Sequence, residues 1–313
     1  MRGILPLLDS HDLVAPLSDD EAELAAKELA SDTGLTVYAK SITARDGRVI
    51  FLGCKGVEKQ LCVMAREPFD EFDGEATSCP HGVVKVCRLT HANADSLRRA
   101  LPFTAPTLHG LKVSVGMGDR LGIATPGHVR AIRGSGVAPV LAQQSIREMS
   151  RTGRSPEEVM DDATWGVLEE GYRDGFGSDA DHLKNEEDMR ATFAAGFRFF
   201  TIDPGEYVDN TAGEASADAL RDQLPQIPWD ALEISAEDCR RAFTDHTFRI
   251  GHDVELEYDE ERLLRAVVKY GRAVAHVVKL SRFLKDLADD EPFEIEMSVD
   301  ETDSPTTPHE HFY

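Results

Sequence analysis

The sequence predicts an α/β chain, with a small N-terminal α+β domain over residues 1–106 and alternating strands and helices over residues 107–313. Three observations carry that expectation. From residue 107 onward, apolar runs of strand length alternate with capped helical stretches. Before it, short alternating strands gather around one acidic helix. Polar residues also collect where each later strand ends: Asp119 and Arg120, Gln143 and Gln144, Asp181 and His182, Asp203, Asp300. In a (β/α) barrel such ends share one face, and an open doubly wound sheet also presents strand ends to a ligand. The pattern alone leaves both architectures open.

In the N-terminal part, residues 19–30 read as an acidic helix with alanine and leucine on one face. Residues 35–42 and 48–53 read as strands, with Asp46-Gly47 as their hairpin turn. Residues 61–65 and 83–89 read as further strands around an acidic loop, 67–75. Residues 94–100 read as a short helix, and Pro102 and Pro106 mark a linker.

Residues 111–115 then read as a strand, followed by Gly116, Gly118 and Gly122 with Asp119 and Arg120 held between them. Thr125-Pro126 reads as a helix start, an N-cap hydroxyl followed by proline at the first helical position. Such an N-terminus suits a small anion. The spacing G-x-G-x-x-x-G is one residue longer than the dinucleotide fingerprint, and no acidic ribose partner follows at the usual distance, which argues against a nicotinamide cofactor.

Further on, residues 136–142 read as a strand ending in Gln143 and Gln144. Ser155-Pro156 with Glu158 opens a helix that Gly171 stops. A helix over 185–196 and a strand over 197–203 precede a loop-rich stretch, 204–234. Ser235 opens another helix, 259–286 is a long amphipathic one, 293–301 is a last strand and 302–313 a floppy end. Alternation along that strand sets Ile295, Met297 and Val299 on one face and Glu294, Glu296, Ser298 and Asp300 on the other. It therefore turns Asp300 rather than Glu301 toward the shared centre.

Composition limits the partners. Acids number 57 against 34 bases, mostly arginine, giving a net charge of -23. That balance repels phosphate backbones and anionic membranes, so neither nucleic acid nor membrane is an expected partner. An acidic, lysine-poor surface is expected of a protein working in a halophilic cytoplasm, where salt screens self-repulsion. A hydrophobic content of 41% still supplies a packed core. The five cysteines contain no CxxC pair and read as reduced thiols. Assembly with further copies is compatible with the sequence.

Six runs, in order, carry a resemblance: GDRLGIATPGHVRA, LAQQSIREMSRTGR, DDATWGVLEEGY, GFGSDADHLK, FFTIDP and SVDETDSPT. Together they resemble the tagaturonate epimerases, which interconvert D-tagaturonate and D-fructuronate, over roughly residues 110–308. The resemblance implies a TIM-type barrel and a divalent metal, with zinc, manganese, iron, cobalt and nickel not distinguished. It implies Asp181 as proton acceptor and His182 as metal ligand. It also implies a carboxylate of the SVDE run as proton donor, Asp300 or Glu301. The family pattern runs on beyond Tyr313 with further metal-binding histidines, so the barrel is expected to be incomplete at its C-terminal side.

The chemistry explains why such groups are needed. The two sugar acids differ at a carbinol carbon β to the ketone, whose proton the carbonyl does not acidify. A metal that stabilises an enediolate, together with a base on the β-hydroxyl, opens a retro-aldol path, and re-addition on the other face inverts the centre. Arg120 and Arg147 suit the substrate carboxylate, and Gln143 and Gln144 its hydroxyls. Two other readings stay open: a metal-dependent sugar isomerase on the same barrel, and a non-catalytic fragment that binds a sugar acid.

Overall fold

Alternation in the first hundred residues builds a sheet that is buried on both faces. The computed structural model of the chain describes residues 3–300 and 302–313. The sheet's strands are β1 (Thr36–Val37), β2 (Thr43–Arg45), β3 (Arg48–Lys55), β4 (Glu58–Ala65), β5 (Glu75–Cys79) and β6 (Gly82–Cys87). They run in the order β1-β3-β4-β6-β5, with β2 also on β3, and the described pairings are antiparallel. Val49, Phe51, Cys62 and Met64 face one core with Ile4 and Leu7 of α1 (Ile4–Leu8) and Leu29 of α2 (Asp19–Thr33). Ile50, Leu52, Leu61 and Val63 face the other, against Leu97 of α3 (His91–Ala100). Each such fully buried side chain contributes about 1.5–3 kcal/mol, so both faces hold the sheet in place.

Two expectations are corrected in this region. Residues 35–42 do not form a continuous strand. Ser41 donates its hydroxyl to the Tyr38 carbonyl and accepts from the Leu52 N–H, so a turn replaces the ladder there. The hairpin at Asp46-Gly47 instead joins β2 to β3, with Asp46 at φ 53°. β5 goes unseen in the sequence because its residues are mostly exposed and show no apolar alternation.

The same compact unit, Met1–Asp181 with Ala191–Phe199, holds a parallel sheet. β7 (Ser114–Gly116), β8 (Ala138–Ser145) and β9 (Gly177–Leu183) lie side by side in that order. The connections are helical: α4 (Thr125–Ile132), α5 (Ile146–Thr152) and α6 (Pro156–Glu169). Ser145 and Ser155 close capping boxes with Glu148 and Glu158. Trp165 and Leu168 of α6 join the core under the N-terminal sheet. β7 is shorter and later than expected, and Leu111 and Val113 before it are exposed.

The second unit comprises His182–Arg190 and Phe200–Tyr313. α7 (Glu186–Ala194) starts in it as far as Arg190, and β10 (Phe199–Ile202) belongs to it from Phe200 on. The helices α8 (Ala217–Gln223), α9 (Trp229–Leu232) and α10 (Ala236–Thr244) occupy the stretch expected to be mostly loop and the helix expected after it. β11 (Thr247–Ile250) and β12 (Val254–Glu257) form a hairpin. α11 (Glu260–Ala288) buries Leu263 and Val267 in one cluster and Leu264 and Val268 in another, the spacing of an amphipathic stripe. β13 (Glu294–Met297) neighbours β10, and the Ser298 N–H reaches the Ile202 carbonyl at 2.9 Å.

The tail is not floppy. α12 (Pro308–Phe312) has a capping box between Thr307 and Glu310, and Lys269, fully buried on α11, pairs with Glu310 at 3.3 Å. No helix among the described residues is long and apolar enough to cross a membrane.

Candidate functional site

The loop from β7 to α4 folds back on its own acid. The Asp119 carboxylate is buried and accepts from the backbone N–H groups of Leu121, Ile123, Ala124 and Thr125 at 2.7–3.3 Å, and from the Thr125 hydroxyl at 3.1 Å. Burial by itself would raise its pKa, but these donors outweigh that and hold the carboxyl below the usual carboxylate range. Thr125 is therefore not the N-cap; it is the first helical residue and a donor. The anion at this helix N-terminus is the protein's own side chain, which corrects the expectation of a ligand anion there.

Asp119→Asn is expected to cost about 1–2 kcal/mol, the usual worth of a helix cap. Because the folded pKa is depressed, this contribution is present above the unfolded aspartate value and disappears as pH falls through the folded one. Melting curves of both proteins against pH check it: the gap in Tm should close in acid, and a gap that persists there would contradict the assignment.

Beside this loop lies a cleft of about 600 Å³, lined by Asp119, Arg120, Gln143, Glu148 and Asp181 with apolar Leu121 and Ile123. Strand alternation chooses among its polar residues. Gln143 faces the cleft, and its amide donates to Asp179 Oδ2 at 2.9 Å. Gln144 points to the other side, buried, donating to the Thr152 hydroxyl at 3.1 Å and accepting from Arg154 at 2.7 Å. Asp181 stands opposite Ser145 in the β8–β9 register, two residues after Asp179. Arg120 is exposed at the rim, ion-paired with Glu148. The structure thus brings Arg120, Gln143 and Asp181 together. Arg147 sits on the exposed side of α5 and, like Gln144, does not line the cleft.

Glu148 and Asp179 escape the sequence reading. Asp179 had a signal, since the i, i+2 spacing in Asp179-Ala180-Asp181 puts both acids on one face of a strand. Glu148 shows in the structure as half of a capping box with Ser145.

In the second unit, His182 holds a left-handed backbone, φ 56°, which is uncommon for a non-glycine residue. Its Nε2 lies 3.4 Å from Asp300 Oδ2. Asp300 falls beyond the end of β13, so strand alternation does not orient it. Glu301 lies outside the described residues. Nearby, Lys184 pairs with Glu206 at 3.1 Å and Asp203 at 3.5 Å, which raises its pKa. Its carbonyl contacts His276 Nε2 at 2.9 Å, and the His276 ring stacks on Tyr207 with centroids 4.1 Å apart. Among the described residues no group of three histidine, cysteine, aspartate or glutamate side chains is placed to hold a metal ion. His182 and Asp300 together offer two donors.

Comparison with known proteins gives this arrangement a family. Residues 38–313 match the sequence profile of UxaE, the tagaturonate epimerases. A tagaturonate/fructuronate epimerase of Thermotoga maritima is 38% identical over 287 residues, covering 90% of this chain and 56% of that protein. The native crystal structure of the fructuronate-tagaturonate epimerase UxaE from Cohnella laeviribosi is 34% identical with a TM-score of 0.80, over 94% of this chain and 58% of that one. Its complex with one glycerol gives a TM-score of 0.81 over the same shares. The chain spans a little over half the length of these relatives. On the profile match and the 34–38% identities, it belongs to the tagaturonate epimerase family.

Proposed function

We propose that this chain carries part of the catalytic apparatus for interconverting D-tagaturonate and D-fructuronate. The observation that carries the reading is the cleft in which Arg120, Gln143 and Asp181 meet. An exposed guanidinium at the rim matches a substrate carboxylate in the bidentate mode. The amide of Gln143, fixed by Asp179, is suited to a sugar hydroxyl. Asp181 is the proton acceptor for the β-hydroxyl, and Asp300, or alternatively Glu301, the proton donor that completes re-addition. Retro-aldol cleavage and re-addition is the path these roles serve, within a TIM-type barrel preceded by the N-terminal α+β domain over residues 1–106. The family membership and the parallel order β7-β8-β9 support that architecture.

A divalent cation belongs to the same proposal, with His182 as ligand. Structural and catalytic metal sites take three or four protein donors. His182 and Asp300 supply two, so the described residues do not by themselves complete such a site. The proposed setting is a halophilic cytoplasm, with a small sugar acid as partner and neither nucleic acid nor membrane.

Proton NMR of D-tagaturonate in D₂O with this chain, KCl and added Mn²⁺ or Zn²⁺ tests the reading. Fructuronate without deuterium at the inverted carbon is the expected result. Deuterium at the carbon next to the carbonyl would point to an isomerase. Binding without turnover would identify a sugar-acid-binding fragment.

A further inference from the structure

Arg154 closes the LAQQSIREMSRTGR run, and neither the strand-end pattern nor the epimerase reading gives it a task. Its side chain is only 11% exposed, and its two terminal nitrogens are shared among four acceptors. Nη1 donates to the Asp119 carbonyl at 2.5 Å and to Gln144 Oε1 at 2.7 Å. Nη2 donates to the Glu158 carbonyl at 3.3 Å and to Asp162 Oδ2 at 2.5 Å. One planar group therefore ties the loop that lines the cleft to the end of β8 and to the first turns of α6. Only arginine has donors enough, in a rigid fork, to do this.

The loop is held from both sides. The Asp119 side chain grips the N–H groups of Leu121, Ile123, Ala124 and Thr125, while its carbonyl is held by Arg154. Gly122 fits between, at φ 71°, where a Cβ would overlap the Asp162 carboxylate. Between these anchors stands Arg120, the rim guanidinium. Around it Leu121 and Ile123 are exposed, and its ion-pair partner among the described residues is Glu148 on α5.

We propose that Arg154 is a positioning residue for sugar-acid binding: by clamping the Asp119 carbonyl to Gln144 and Asp162, it sets the loop so that Arg120 faces Gln143 and Asp181 across the cleft. This rests on the epimerase reading for the ligand. It also gives Gln144, which does not line the cleft, a role as an anchor of the clamp.

The test pairs amide hydrogen exchange with ligand titration in the full chain. Arg154→Gln and Arg154→Lys are compared with Arg173→Gln. Arg173 is a structural control in the same unit, bonded to the Val14 carbonyl and the Thr43 hydroxyl. D-tagaturonate is the probe, followed by calorimetry. Arg154→Gln is expected to speed exchange at Leu121, Ile123, Ala124 and Thr125 and to weaken tagaturonate affinity by about tenfold, a loss on the order of 1.4 kcal/mol. Arg154→Lys should recover only part of the affinity, and Arg173→Gln should change neither readout. Unchanged exchange in the loop overturns the proposal, as does faster exchange with unchanged affinity, or an equal effect from Arg173→Gln. Failure of the unaltered chain to bind any tagaturonate overturns the epimerase reading instead, and with it this ligand for the clamp.

Discussion

Replacing Asp181 with Asn is expected to lower the turnover of D-tagaturonate by about 10²–10⁴-fold, the range that a positioned general base supplies. The substitution keeps the shape of the side chain and removes only its capacity to accept a proton as a carboxylate. Asp181 ends the described register with β8 opposite Ser145 and lines the cleft with Arg120 and Gln143, so KM should change far less than kcat. Bound metal per chain should also stay as it was, since His182 and not Asp181 is the proposed ligand. Steady-state kinetics with metal analysis of the same preparations decide the matter. An unchanged kcat would remove Asp181 as the base, and a parallel loss of metal would make it a ligand.

The second large effect concerns stability. Glu310→Ala is expected to destabilise the chain by about 3–5 kcal/mol, because it leaves the fully buried Lys269 ammonium without its counter-charge. The Ser304 hydroxyl, 3.1 Å from Nζ, remains as a hydrogen-bond acceptor but cannot neutralise a charge. The capping box of α12 is lost in the same change. Urea unfolding should show a lower midpoint, and the double variant Lys269→Met with Glu310→Leu should recover much of the loss, since replacing both partners leaves no unpaired charge. A cost below about 1 kcal/mol would place the pair in the class of surface ion pairs.

The sequence revealed features whose cause is local. The capping box of Ser155 with Glu158, the turn at Asp46 and the alternation of residues 48–53 follow from groups a few residues apart, and the structure has them. Arg120, Gln143 and Asp181 were legible because strand ends in a parallel α/β sheet converge whatever the loops do. Other features depend on distant partners. Asp119 reads as a free acid between glycines until the loop folds back and aims five donors at it. Gln143 and Gln144 look equivalent until the pleat sends them to opposite faces. The hairpin of β11 and β12 is mostly exposed, so no apolar period announces it. The tail reads as solvated because its anchor, Lys269, lies some forty positions earlier on α11.

β7 stands at the end of its sheet order, and Leu111, Val113, Leu121 and Ile123 around it are each at least 70% exposed. Such an edge is a template for contact between molecules. The net charge of -23 opposes that contact while its field reaches beyond the surface. The Debye length is ~10 Å at 0.1 M salt and ~3 Å at 1 M. Raising ionic strength therefore relieves repulsion within each molecule and removes the barrier between molecules at the same time. The osmotic second virial coefficient of the chain on its own should fall from positive toward negative with salt, so the screening that relieves repulsion within the molecule also lowers its colloidal stability.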